Sequence, residues 1–84
     1  MQWTPELLEE NRKLRRLRLM VDFTIQLLYQ DQDLTLSQGL MHIQAARKFA
    51  ESLFPGKGEV FDLIYKPRML RVLRERGLLK NNSN

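Results

Sequence analysis

The chain has 84 residues, with 14 Lys and Arg against 10 Asp and Glu, one His, no Cys and a formal net charge of +4. A chain of this length supports one domain at most and buries only roughly 60–65% of its unfolded surface, which leaves a thin stability margin. The absence of cysteine excludes disulfides and thiolate metal sites and fits a reducing, cytoplasmic setting. The opening "MQWTPELLEE" is polar and acidic and reads as no signal peptide. No stretch approaches the ~20 apolar residues of a membrane span, so no membrane association is expected. A pI near 9.9 permits binding to a polyanion without requiring it.

Helix formers dominate, and β-branched residues never alternate. The first helix is expected to start at the N-cap Thr4 with Pro5 in its first turn and Trp3 and Leu8 as a hydrophobic staple. No breaker follows until "QDQD", Gln30 to Asp33, giving about seven turns, or about 39 Å. Its first half has a narrow apolar seam of Leu7, Leu14, Leu17 and Val21 among Arg12, Lys13, Arg15, Arg16 and Arg18. Its second half is apolar on two sides, with Leu17, Val21, Ile25 and Leu28 on one and Met20, Phe23 and Leu27 on the other. Such a helix needs cover on both sides.

A capping box, Thr35 with Gln38, opens a second helix that runs to about Phe54, where Pro55 and Gly56 stop it. Gly39, Ala46 and Ala50 form a small-residue ridge suited to close approach by another helix. After the turn "PGKG", a third helix begins near Glu59 with Val60, Phe61, Leu63, Ile64 and Tyr65. Pro67 either kinks it or opens a fourth helix, which Gly77 ends in a Schellman cap with Leu73 and Leu78 in contact. The domain spans 1–79, and 80–84 reads as a disordered tail.

Catalysis finds little to work with. The sole histidine, His42, sits at the edge of an apolar helix face, and no HExxH, phosphate loop or GxSxG is present. The "GKG" at Gly56 to Gly58 is too short for a phosphate loop. Glu59 and Asp62 oppose the dipole at a helix start, and Asp62 precedes Lys66 by four residues, the order that favours an ion pair. Glu9 is likewise placed to pair with Lys13. Arg47 lies within an apolar face and requires a partner or a route to water: it either pairs with Asp22 or snorkels while Asp22 faces solvent. No cofactor, metal or enzymatic role is expected.

These features lead to an all-α fold of three or four helices, the long first helix forming an antiparallel hairpin with the second and overhanging it by about 10–12 Å. An uncovered apolar seam marks a partner surface. The leading reading is a non-enzymatic interaction or regulatory module that dimerises, or meets another protein, through Leu7, Leu14, Leu17, Met20, Val21 and Leu27. The competing reading is a small basic DNA- or RNA-binding protein. Its contacts would be Arg12, Arg15 and Arg16 on the first helix and Arg68, Arg71 and Arg74 in "YKPRMLRVLRERG", whose +4 equals the net charge of the chain. Arg68, Arg71 and Arg74 also form the ordinary wet stripe of an amphipathic helix opposite Met69, Leu70 and Leu73.

Overall fold

A computed structural model describes residues 4–80 and contains helices α1 (Pro5–Gln30), α2 (Leu36–Leu53), α3 (Gly58–Ile64) and α4 (Lys66–Glu75). Trp3 of the expected staple and residues 81–84 of the expected tail lie outside the described residues. The fold is all-α, and the long first helix packs along the second.

Local chemistry sets the ends. The Thr4 Oγ1 accepts from the Leu7 amide at 3.2 Å, with Pro5 in the first turn. At α2 the capping box is complete: the Gln38 amide donates to Thr35 Oγ1 at 3.1 Å, and the Thr35 amide donates to Gln38 Oε1 at 3.0 Å. At the end of α4 the amides of Leu78 and Gly77 donate to the carbonyls of Leu73 and Arg74, the two bonds of a Schellman motif. Gly77 stands at φ +75°, a left-handed conformation that a side chain disfavours. Pro67 breaks the third helix: α3 stops at Ile64, and α4 begins at Lys66 with Pro67 in its first turn, where its missing amide hydrogen leaves no helical bond unmade.

The turn Asp31–Thr35 returns α2 antiparallel to α1, which places Lys13 Nζ over the Phe54 ring, 5.8 Å from its centroid. The residues of α1 before Lys13 therefore project past the end of α2, an overhang of about 12 Å at helical rise. The fold measures 50 × 26 × 21 Å, consistent with this projection. Helix α4 lies beside the C-terminal half of α1 and runs in the same direction. Arg18 and Asp22 face Tyr65 and Arg68 at one end. At the other, Tyr29 Oη donates to Glu75 Oε2 at 2.7 Å, and Arg76 Nη1 donates to the Leu28 carbonyl at 2.6 Å. That carbonyl is one of the last four of α1, which have no partner within their own helix.

The core joins all four helices: Leu17, Val21 and Leu28 from α1, Ile43, Ala46 and Ala50 from α2, Phe61 from α3, and Met69, Val72 and Leu73 from α4. Its deepest contact depends on Gly39, where a Cβ would lie 2.7 Å from Leu73 Cδ2. Helix propensity alone favours alanine there by ~1 kcal/mol. Leu73 has no exposed surface and nowhere to withdraw, and overpacking of this kind costs roughly 1–3 kcal/mol. Gly39→Ala should therefore lower stability by about 1 kcal/mol net in urea unfolding, whereas an exposed helical glycine changed to alanine would gain about that amount.

Candidate functional site

Helix α3 is held in place by Arg47. Its Nε and Nη2 donate to the two carboxylate oxygens of Asp62 at 2.8 and 3.1 Å, and Nη1 donates to Glu51 Oε1 at 2.7 Å. The bidentate fork fixes α3 against α2 in angle as well as distance. Gly58 leaves room for it: a Cβ there would stand 2.7 Å from Arg47 Nη2. Arg47 is therefore not paired with Asp22, which is exposed on α1 near Arg18 and Arg68. Nor is Lys66 the hydrogen-bonded partner of Asp62, because the helix breaks at Tyr65 between them. Glu9 likewise lies 4.0 Å from Arg12, while Lys13 rests over Phe54.

So anchored, α3 forms one wall of an apolar groove of about 340 Å³. Leu14 and Leu17 of α1 form the facing wall, Val60 and Ile64 the α3 wall, and Phe54, Phe61 and Tyr65 lie between them. Phe61 and Tyr65 pack with ring centroids 5.8 Å apart. Lys57 stands on the rim. The groove opens beside the α1 overhang, where Leu7 is 44% and Leu14 39% exposed, and on its far side Ile64 is 52% exposed.

The six residues expected to form an oligomer surface separate. Leu7 and Leu14 are exposed at the overhang and groove. Met20 and Leu27 are half-buried. Leu17 and Val21 are buried in the chain's own core and are not available to a partner. The correction has a physical reason: α3 and α4 turn back at Tyr65 and cover α1 as far as Leu17, so the bare seam is shorter than the sequence pattern implies. Three apolar groups lie outside the expected set. Val60, Leu63 and Ile64 are exposed along α3, Leu19 and Phe23 along the outer side of α1, and Leu40, Met41 and Phe49 along α2. The signal for the first was present in "EVFDLIY", which has more apolar positions than a helix of two turns can bury on one side.

The six candidate arginines also separate, by the rotation of about 100° per helical residue. Arg12 and Arg15 line a shallow cavity on the outer side of α1 together with Arg18, and Arg18 also faces α4. Arg16 falls toward the opposite flank. On α4, Arg68 and Arg71 face α1, and Arg74 lies on the far side. All six are exposed. Among the described residues only Arg12 of the six has a carboxylate within 4.0 Å.

His42 is half-buried on the flank of α2. Among the described residues no three His, Asp or Glu side chains gather where they would hold a metal ion. No helix among them is long and apolar enough to cross a membrane. Comparison with known proteins finds no match to a protein-family model, to a curated sequence or to a solved structure.

The Arg47 fork has a pH signature. The hydrogen bonds from Arg47 lower the pKa of Asp62, burial opposes them, and the charges of Arg47 and Lys66 add to the lowering. A carboxylate whose folded pKa lies below its unfolded value, about 3.9, contributes its full stability above that value and loses it as pH falls through the folded pKa. Wild type should melt above Asp62→Asn at pH 7, and the gap should close as the pH is lowered past about 4, as followed by circular dichroism.

Proposed function

We propose that this chain is a non-enzymatic helical interaction module that self-associates as a two-fold dimer through the N-terminal half of α1. The observation that carries this reading is the groove between Leu14 and Ile64, with an apolar overhang projecting from its edge. Each copy thus holds both halves of a self-complementary contact, an exposed helix end bearing Leu7 and an apolar groove lined by Leu14 and Ile64. Two-fold pairing satisfies both halves at once and leaves no open end to propagate into a filament. Charge is complementary in the same arrangement. Glu6 and Glu10 continue the inward side of α1 past its last packed turn, and Lys57 stands on the rim that the partner's overhang would reach.

Area supports the same reading. A specific dimer covers about 800 Å² per partner, about one-eighth of the 6570 Å² surface of this chain. Leu14 on α1 and Val60 and Ile64 on α3 are exposed along the groove. A chain this small also gains from assembly, since its own core leaves little stability to spare.

Sedimentation or light scattering at micromolar concentration should give twice the chain mass, with dissociation on dilution. Leu14→Asp and Ile64→Asp, on opposite walls of the groove, should each yield a monomer that keeps the helical spectrum of the wild type. A wild-type monomer at every concentration would remove the proposal.

A further inference from the structure

The fold brings together two arginine rows that lie about fifty residues apart in the sequence. Because α4 runs beside α1 in the same direction, Arg18 on α1 faces Arg68 on α4, with Arg15 one turn before Arg18 in an adjoining cavity and Arg71 one turn after Arg68. Arg18 and Arg68 line a shallow cavity of about 280 Å³ with Val21, Asp22 and Tyr65. Arg71 is close enough to Tyr29 for its charge to act on the phenol. From this juxtaposition we propose a second site: the seam between α1 and α4 binds the sugar–phosphate backbone of a nucleic-acid duplex.

Four features of the seam support this. First, all four guanidiniums are exposed, and none has a carboxylate within 4.0 Å among the described residues. Second, the carboxylates on this side are Asp22 and Glu75, two negative charges against four arginines, so the face stays net positive. Third, every cation in the seam is arginine, whose planar fork matches two phosphate oxygens where lysine offers a point charge. Fourth, packed helices lie about 8–10 Å apart, between the roughly 6 and 12 Å widths of the duplex grooves, and the long flexible arginine stems cover the difference. Of the arginines expected from sequence, Arg16 and Arg74 lie off this face.

The test is fluorescence anisotropy of a labelled duplex of about 20 base pairs over a salt series. Four phosphate contacts per chain predict a log–log slope of about −3.6 and a loss of affinity of roughly 150-fold between about 50 and 200 mM salt. Arg18→Gln/Arg68→Gln should reduce the magnitude of the slope by about two. Arg16→Gln/Arg74→Gln removes the same charge from outside the seam and should leave the slope as in the wild type. Monomeric Leu14→Asp protein should retain the per-chain slope, which separates this proposal from the one on self-association. Three results would overturn it: no duplex binding at about 50 mM salt, equal slope changes from the two double variants, or binding to phosphatidylserine vesicles with none to duplex.

Discussion

How deeply α4 sinks between α1 and α2 determines the rest of this structure. Leu73 reaches the centre of the core because Gly39 presents no side chain in its path. Met69 and Leu28 are fully buried there. Polar contacts then hold the end of α4 to the end of α1: Arg76 on the Leu28 carbonyl and the Tyr29 hydroxyl on Glu75. A helix so placed covers the C-terminal half of α1 and no more. The chain uses α3, a helix of 7 residues, to reach that position, and no described residue covers the first turns of α1, where Leu7 and Leu8 are exposed. The overhang is therefore a consequence of how the core is closed.

The arginines sort by the same geometry. Arg47 and Arg76 satisfy partners within the chain, carboxylates in one case and an orphaned carbonyl in the other. The remaining candidates stand in water on the outer surfaces of α1 and α4. Surface ion pairs contribute only about 0–1 kcal/mol, so leaving these cations unpaired costs folding little. Their arrangement is free to serve another purpose, and the parallel course of α1 and α4 is what gathers four of them into one seam.

The parts of the fold written in local chemistry were legible from sequence. Thr4, the Thr35–Gln38 box and the Gly77 cap with Leu73 and Leu78 each depend on residues within a few positions of one another, and each forms as its pattern implies. What depends on the path of the chain was not legible. The partner of Arg47 lies beyond a turn whose direction is set by Gly56 at φ +79°, so Asp62 arrives opposite Arg47 while Asp22 faces away. Leu17 and Val21 look like the rest of the Leu7–Leu14 seam, and only the turn at Tyr65, which folds α4 back onto α1, distinguishes them as core. The same turn brings Arg18 beside Arg68, a proximity that no spacing along the chain encodes.

The two proposed surfaces meet at one residue. Tyr65 lines the apolar groove with Leu14 and Ile64, and it also lines the arginine cavity with Arg18 and Arg68. In the proposed dimer the arginine seam of each copy would lie at the edge of the interface, and a bound polyanion would offset repulsion between the two seams and so couple assembly to phosphate binding. Linkage makes that coupling reciprocal: a duplex that bridges both seams favours the dimer by the same factor by which the dimer favours the duplex. The break at Tyr65 and Pro67, which looks in the sequence like an interruption between two short helices, is the point where apolar and cationic surfaces are joined on one face of the molecule.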